Sequence, residues 1–432
     1  MNRLVNHLLL YRPAPGSILS ELSSIFEKWQ SGVGKACVTE HLLGVVKRLL
    51  ELGTEFGFDK NLWQDYLTYF LLTAENPFSL TCERRGATPG ASINQFAKAD
   101  FECFRQLFHF DFHALEKELG IECFQVLISY QAVPKSELAY NHHVSSQVRK
   151  LSEQLANAQT AEQFFNLVTA AYAEVGVGQF GLNRAFRIRG DGDGGVDFIT
   201  IDNTDPVRLS SLIGYERQKT LLRTNTEAFL AGRPANNVLL YGDSGTGKSS
   251  SIKALINDYY DQGLRMVEIY KHQFHDLSAT VARLKNRAYR FILFLDDLSF
   301  EENELEYKYL KAVIEGGVEK RPDNVLIYAT SNRRHLVRET WNDRTDMEHD
   351  GDIHRSDTVE EKLSLAERFG MAIYYGSPTP KEYRQIVEEL AIRRGLSLTE
   401  DQLVKEAHAW EISHGGVSGR TADQYITWLT SR

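Results

Sequence analysis

The chain has 432 residues, of which 42% are hydrophobic and 25% charged, and its formal net charge is -9. This length allows two or three domains, and the composition is that of an ordinary globular protein. No run of 18 or more apolar residues occurs, so we expect no membrane-spanning helix. The acidic balance gives no overall attraction to nucleic acid or anionic lipid, although a local basic face remains compatible with it.

The N-terminal residues and the cysteines bear on localisation. Prolines rather than a small-residue cleavage site follow the short apolar patch in residues 1–11, so we expect no signal peptide. The four cysteines lie far apart and form no CxxC pair, which favours reduced thiols over a disulfide framework or a zinc site. The sequence therefore predicts a cytoplasmic protein.

Four regions follow one another along the chain. Residues 1–180 predict a mainly helical domain of unknown role, because apolar residues recur at spacings of three and four. Residues 181–202 predict a β-hairpin or linker, with strands at 185–189 and 196–201 around a glycine-rich turn. Strands alternating with helices over 203–376 predict an α/β domain with a parallel sheet. Residues 377–432 predict a small helical lid.

The most informative stretch is Gly242-Asp243-Ser244-Gly245-Thr246-Gly247-Lys248-Ser249, which fits the P-loop pattern G-x-x-x-x-G-K-[ST] at every defined position. A predicted strand precedes it and a predicted helix follows it. Its glycines let successive backbone N–H groups point at an anion, and the helix dipole adds to this. Lys248 would reach the β- and γ-phosphates, and the Ser249 hydroxyl would hold Mg²⁺. We therefore predict that residues 242–249, together with Ser250, bind ATP; the alternative is a chance glycine-rich turn.

Polar side chains end the next two predicted strands. The apolar run 291–295 leads into Asp296 and Asp297, and the run 325–330 leads into Asn332. Buried parallel strands deliver such residues beside the P-loop. Asp296 would ligate Mg²⁺, and Asp297 would orient or deprotonate the attacking water. The amide of Asn332 can hydrogen-bond both the γ-phosphate and that water. The alternative interpretation of Asp296 and Asp297 is that the strand before them merely meets a turn.

This combination of a P-loop, an acidic strand end and an Asn strand end resembles the AAA+ ATPase superfamily. The resemblance implies a three-layer α/β P-loop NTPase core with a parallel sheet, a C-terminal helical lid and the mainly helical N-terminal domain. It implies that Asn332 is the sensor 1 residue, and that Ile213 and Gly214, in Leu212-Ile213-Gly214-Tyr215, lie against adenine.

Two arginines gain roles from the same resemblance. Arg368, in Glu367-Arg368-Phe369-Gly370, is expected to be an arginine finger that enters a neighbouring subunit's site. Arg420, in Gly416-Val417-Ser418-Gly419-Arg420, is expected to be the sensor 2 arginine. The alternative for Arg368 is a contact with a helix dipole or a surface acid. The alternative for Arg420 is a surface role. Arg333 and Arg334 are second candidates for contacts between subunits.

More narrowly, residues 203–432 resemble an uncharacterised bacterial family of predicted AAA+ ATPases. The segments 295–301, 360–365, 368–370, 415–416 and 418–420 carry this match. The resemblance implies ATP·Mg²⁺ hydrolysis in a homo-oligomer, coupled to remodelling or loading of a protein or protein–nucleic acid partner. The N-terminal domain would recognise a protein; DNA is a weaker candidate partner, and no membrane is expected.

One residue departs from the superfamily pattern. Glu usually follows the metal-binding Asp, whereas Asp297 stands there in this chain. Because its side chain is one methylene shorter and small misplacements lower rates greatly, we expect slow turnover. Glu301 or Glu302 are alternatives for its role, and an ATP-dependent switch or scaffold with little hydrolysis is the alternative function. The segment 341–357, rich in Asp, Glu and His, is expected to be a surface loop.

Overall fold

The computed structural model describes residues 1–132, 141–192, 194–300, 306–316, 322–332, 367–399 and 401–431. The chain divides into two compact units, Met1–Asn183 and Arg184–Arg432. None of the helices within these ranges is long and apolar enough to cross a membrane.

The first unit is helical, as the apolar spacing predicts. Its helices are α1 (Asn2–Asn6), α2 (Ile18–Gln30), α3 (Lys35–Phe56), α4 (Leu62–Thr73), α5 (Pro77–Arg85), α6 (Ile93–Phe108), α7 (His113–Leu119), α8 (Cys123–Ile128), α9 (His142–Ala156), α10 (Ala161–Glu174) and α11 (Gly178–Leu182). Side-chain caps at Ser17, Asn61 and Thr160 begin α2, α4 and α10.

Aromatic side chains fill the core of this first unit. Trp63, Phe101, Phe104 and Phe124 are each at most 1% exposed, and the Trp63 indole N–H donates to the Leu107 carbonyl at 2.7 Å. The aromatic residues of this unit thus serve packing, which is the use most buried aromatics have.

The second unit is built on one seven-stranded sheet. Its strands are β1 (Ala185–Gly190), β2 (Val196–Thr200), β3 (Val238–Gly242), β4 (Leu264–Glu268), β5 (Arg290–Leu295), β6 (Val325–Ser331) and β7 (Met371–Tyr375), in the order β2-β1-β4-β5-β6-β3-β7. Its helices are α12 (Glu216–Leu230), α13 (Lys248–Tyr259), α14 (Leu277–Leu284), α15 (Glu306–Glu315), α16 (Pro380–Arg393), α17 (Ala407–Ser413) and α18 (Gly419–Thr430). Short 3-10 helices lie at Leu209–Ser211, Tyr260–Gln262 and Lys271–Asp276, and a π-helical turn at Gln402–Glu406.

The sheet is parallel except for the pair formed by β1 and β2. The predicted hairpin is present, and β1 extends the sheet by pairing with β4. All seven residues of β6 are buried, which fits a central parallel strand covered on both faces. Strand β3 lies between β6 and β7. The residues after β3 therefore meet the ends of β6 and β7 at one edge of the sheet.

The C-terminal helices form the predicted lid with a core of its own. Thr379 and Glu382 make a capping box for α16, with Pro380 at the first position, and Ser418 and Thr421 make one for α18. Tyr383, Val387, Tyr425 and Ile426 pack together in this core. The lid helices are thereby fixed relative to one another beside the site.

Candidate functional site

Glycines shape the loop between β3 and α13. Gly242, Gly245 and Gly247 have φ of 131°, 75° and 87°, values that side chains with a Cβ rarely adopt. A Cβ on Gly242 would also lie 2.2 Å from the Tyr375 carbonyl oxygen. Gly247 precedes the first residue of α13, so the N–H groups of the first helical turn face the loop. A helix start of this kind is suited to bind an anion.

Lys248 joins the loop to the end of β6. Its ammonium donates to the carbonyls of Gly242 at 2.9 Å and Asp243 at 2.6 Å, and to Oδ1 of Asn332 at 3.0 Å. The side chain is buried. Burial lowers the pKa of Lys248, and the carboxylates of Asp243, Asp297 and Asp296 oppose that shift. A charged donor in this position is set to meet phosphate oxygens.

Two hydroxyl groups hold Asp296. The Ser249 hydroxyl and the Thr330 hydroxyl each donate to its Oδ1 at 2.6 Å. The hydroxyl and carboxylate oxygens are the hard ligands that Mg²⁺ prefers. Across the described ranges, no group of three or more His, Cys, Asp or Glu could hold a metal by itself.

Asp297 has an unusual backbone and a fixed side chain. Its φ is 52°, a left-handed conformation that costs a non-glycine residue about 1–3 kcal/mol. Its N–H donates to the Thr330 hydroxyl at 2.9 Å, and its Oδ1 accepts from Nδ2 of Asn332 at 2.8 Å. Strain that the surroundings hold in place often marks functional sites.

Thr330 is the residue that sequence reasoning missed. Its one hydroxyl donates to the Asp296 carboxylate and accepts from the Asp297 N–H. The period of two along a strand puts Thr330 on the same side as Asn332. The sequence signal for this role of Thr330 was therefore a hydroxyl residue two positions before the polar residue that follows the strand.

A pocket of about 880 Å³ brings most of the predicted site residues together. The predicted residues that line it are Ile213, Gly214, Ser244, Gly245, Thr246, Gly247, Lys248, Ser249, Ser250, Asp296, Asp297, Asn332 and Arg420. Gly242 and Asp243 are not in its lining. Asp243 instead accepts from Ser377 N at 2.7 Å and Ser377 Oγ at 2.8 Å, and these bonds lower its pKa. The Asp243 side chain therefore holds the segment between β7 and α16.

An apolar wall closes one side of this pocket. It includes Ile213 together with Ile386 and Leu390 of α16. Tyr215 supports the segment by stacking on Tyr375, with ring centroids 5.0 Å apart, and by donating to the Gly376 carbonyl at 2.8 Å. Such a wall suits the flat face of a base.

Arg420 reaches the pocket because α18 begins against the P-loop. Its backbone N–H donates to the Gly245 carbonyl at 3.2 Å. A Cβ on Gly245 would lie 2.8 Å from the Ser418 hydroxyl oxygen, so only glycine allows this approach. The lid and the P-loop are thereby in direct contact.

Arg368 is the predicted site residue that lies apart from the others. It forms an ion pair with Glu315, the last residue of α15, and is not in the pocket lining. This ion pair is the contact with a surface acid that the sequence offered as the alternative to an arginine finger. Glu301, Glu302, Arg333, Arg334 and the segment 341–357 lie outside the described residues.

The P-loop, the polar strand ends, the parallel sheet and the helical lid together form an α/β P-loop fold with a lid, which is the architecture that the resemblance to the AAA+ superfamily implies. A family model described as "Protein of unknown function (DUF815)" matches residues 182–432, which is more than half of the chain. The chain belongs to this family, and the predicted placement in an uncharacterised family is confirmed. No curated protein matches the chain.

Several solved structures are similar to this chain. A point variant of Thermotoga maritima RuvB is 18% identical with a TM-score of 0.37, covering 52% of this chain and 65% of that one. The Thermotoga maritima RuvB Holliday junction branch migration motor is 17% identical with a TM-score of 0.35 and the same coverage. The FIGL-1 AAA domain in complex with ADP is 18% identical with a TM-score of 0.33, covering 52% of this chain and 73% of that one. The match thus spans less than two thirds of those RuvB chains.

Proposed function

We propose that this protein binds ATP with Mg²⁺ and hydrolyses it. The observation that carries the proposal is one hydrogen-bonded set: Lys248 contacts Asn332, and Asn332 contacts Asp297. The P-loop and Arg420 line the same pocket. Phosphoryl transfer needs three kinds of group: an anion-binding loop, a hydroxyl–carboxylate pair for a metal, and an acid held beside a polar amide.

Each residue has a stated task in this proposal. The P-loop N–H groups and Lys248 bind the phosphates, while Ile213 and Gly214 contact the base. Ser249 and Asp296 would hold Mg²⁺, which neutralises charge on the phosphates when bound. Asp297 orients the attacking water and accepts its proton, and Asn332 and Arg420 contact the γ-phosphate. Their charge and dipoles stabilise the charge that develops in the transition state.

The first test is ATP turnover per chain, with Mg²⁺, over a wide range of protein concentration. If subunits complete each other's sites, the rate per chain rises with concentration because the active species is an oligomer. A concentration-independent rate would show that one chain suffices. Absence of turnover at every concentration, with ATP bound, would reject hydrolysis as the function.

Arg368 is proposed to act on a neighbouring subunit's ATP in a homo-oligomer. Its partial exposure and its position outside the lining of its own pocket support this role, and release from Glu315 would be required. Mixing Arg368→Ala chains with Lys248→Ala chains should restore activity, because one intact site forms at a mixed interface. No recovery in the mixture, with assembly verified by light scattering, would count against the role.

An ATP-dependent switch with little hydrolysis is the second candidate. The observation that favours it is the short side chain of Asp297. Its Oδ1 accepts a hydrogen bond from Asn332, and its backbone is left-handed.

Asp297→Asn keeps the shape of the side chain and removes the base, so turnover should drop about a hundredfold while ATP binding persists. Full activity in that variant would remove Asp297 from the catalytic role.

The proposed output is remodelling or loading of a protein or protein–nucleic acid complex, with the helical first unit recognising a protein. Hydrolysis would drive motion of the lid, whose α18 touches the P-loop directly through Arg420 and Gly245. DNA is a weaker candidate because the net charge is -9. Steeply salt-dependent DNA binding would favour it over a protein partner.

A further inference from the structure

Asp243 belongs to the P-loop but does not line the pocket. The P-loop pattern leaves its position open, so phosphate binding does not explain an acid there. Its backbone N–H donates to the Tyr375 carbonyl at 2.9 Å. Neither the backbone donor nor the carboxylate of Asp243 is therefore placed to contact a phosphate in this pocket.

The register of the sheet places Asp243 beside the connection to the lid. Strands β3 and β7 are parallel neighbours, and Gly242 is aligned with Tyr375 at their ends. Residues 376–379, which we call the lid linker, join β7 to α16. Oδ2 of Asp243 accepts from the Ser377 N–H at 2.7 Å and from the Ser377 hydroxyl at 2.8 Å. A side chain of the P-loop therefore holds the first half of the lid linker.

The lid linker has a second attachment beside the apolar wall of the pocket. The Tyr215 hydroxyl donates to the Gly376 carbonyl at 2.8 Å. Tyr215 directly follows Ile213 and Gly214, which are proposed to contact the base. The segments proposed to contact the base and the phosphates thus hold neighbouring residues of the lid linker, Gly376 and Ser377.

Prolines make the lid linker stiff. Pro378 and Pro380 fix their own φ angles, and each restricts the residue before it to an extended conformation. Thr379 has this conformation, with a φ of -63° and a ψ of 160°. Few bonds can rotate between Ser377 and the first turn of α16. An orientation set at Ser377 is therefore carried into α16.

The lid helices share one core, so α16 and α18 are oriented together. Tyr383 of α16 and Tyr425 of α18 both belong to this core. Arg420 is the second residue of α18, and it lines the pocket. The direction of α16 therefore affects where Arg420 lies, and small displacements of a reacting group lower rates greatly.

We propose that Asp243 is a positioning residue, whose bonds to Ser377 hold the lid at the angle at which Arg420 reaches the γ-phosphate. This inference rests on the proposed function and gives a task to a P-loop side chain that contacts neither phosphate nor metal.

The competing explanation is electrostatic. Burial lowers the pKa of Lys248, and the Asp243 carboxylate is foremost among the charges that oppose this shift. An acid at position 243 could therefore act on Lys248 through its charge alone. An amide at this position separates the two explanations, because it keeps the oxygen and removes the charge.

Steady-state ATP turnover of full-length variants tests the proposal. Asp243→Ala removes the acceptor for Ser377, so kcat should fall about tenfold. Its Kd for ADP with Mg²⁺ should change by less than about twofold, because ADP lacks the γ-phosphate that Arg420 contacts. Asp243→Asn keeps an oxygen with the same reach and should recover most of kcat. Glu388→Ala, which removes an exposed acid of α16, should leave kcat and ADP affinity unchanged.

A double-mutant cycle with Arg420 distinguishes positioning from a general loss of structure. If Asp243 acts through Arg420, Asp243→Ala should lower kcat about tenfold in the wild-type background and less than about twofold in Arg420→Ala. Losses that multiply would mean that Asp243 acts on something other than Arg420.

Two further measurements keep the test available if Asp243→Ala does not fold or if turnover is too slow to compare. Ser377→Ala removes the hydroxyl donor and keeps the N–H donor, so its loss of kcat should be smaller than that of Asp243→Ala. Hydrogen exchange of the ATP-bound protein needs no turnover. Exchange in the first turn of α18 should be faster in Asp243→Ala and in Ser377→Ala than in the wild type, and unchanged in Glu388→Ala.

The outcomes separate this role from the proposed function. A wild type that binds no nucleotide would reject both. With a wild type that binds ATP, the positioning role is overturned if neither kcat nor the exchange of α18 changes in Asp243→Ala, or if the losses multiply with that of Arg420→Ala. Equal losses in Asp243→Asn and Asp243→Ala would also overturn it and would assign the effect to the charge beside Lys248.

Discussion

The P-loop pocket and the surroundings of Asp65 in α4 differ in how their charges are satisfied. Beside the P-loop, the buried Lys248 and the carboxylates of Asp296 and Asp297 all have hydrogen-bonded partners within 3.0 Å. In the first unit, Asp65 is as buried as Lys248 but retains an oxygen without a partner among the described residues. The first arrangement is a pre-organised network, and the second is an incomplete one. Because Asp296 and Asp297 are exposed whereas Asp65 is buried, the two places differ both in how their carboxylates are paired and in how far these are removed from water.

Removing the central charge of the complete network should have the largest effect. Lys248→Ala deletes the donor to the P-loop carbonyls and to Asn332, so ATP turnover should fall by about 10²–10³-fold or more. Turnover and nucleotide affinity are measured together. Lys308→Ala, which changes an exposed lysine on α15, should leave both unchanged. Equal activity in Lys248→Ala would break the assignment of this pocket to ATP.

The P-loop pocket and the surroundings of Asp65 also differ in how far the sequence reveals them. The P-loop is continuous in the chain, and its chemistry requires glycine at fixed positions, so its residues and the strands around it were predictable. The α/β sheet, the hairpin and the helical lid were predictable for the same local reasons. Thr330 was missed because its role depends on the adjacency of β5 and β6, which pairing between strands decides.

The charged cluster around Asp65, which includes Lys60 and Glu153, leaves no comparable local signal. Lys60 and Glu153 meet across 93 residues of sequence, and helical packing brings them together. The apolar periodicity that predicts the helices identifies which faces are buried. It does not show that Asp65 is buried with them. Likewise, the pattern around Arg368 gave no sign of its contact with Glu315.

Neutralising the unpaired carboxylate should stabilise the first unit. The pKa of Asp65 is raised from 3.8 to about 6 on folding, so between these values the folded state binds more protons than the unfolded one. The wild type therefore loses stability as pH rises from about 4 to 6 and does not regain it above 6, whereas Asp65→Asn has no such loss. At pH 7 the variant should be more stable by at most about 3 kcal/mol, and this difference should shrink below about 1 kcal/mol at pH 4.

Hydrogen exchange of the α4 and α9 amides at several pH values measures this difference without assuming two-state unfolding of the whole chain. Glu162→Gln, which neutralises an exposed acid of α10 that pairs with Lys98, serves as the control, and the α4 and α9 amides should exchange in it as in the wild type. A difference between Asp65→Asn and the wild type that stays constant from pH 4 to 7 would show that the charge of Asp65 is not the cause.

The smallest expected effect concerns the hydroxyl that joins the two acids of the complete network. Thr330→Val keeps the side-chain volume but removes the donor to Asp296 and the acceptor for the Asp297 N–H. Losing a hydrogen bond to a charged group costs about 1.5–3 kcal/mol, so turnover should fall about tenfold or more and the Mg²⁺ concentration for half-maximal rate should rise. Thr330→Ser retains the hydroxyl and should recover most of the rate. ATP affinity without Mg²⁺ should be unchanged in both variants, because Thr330 acts through Asp296 and Asp297. If this affinity falls together with turnover, Thr330 only supports the fold of β6.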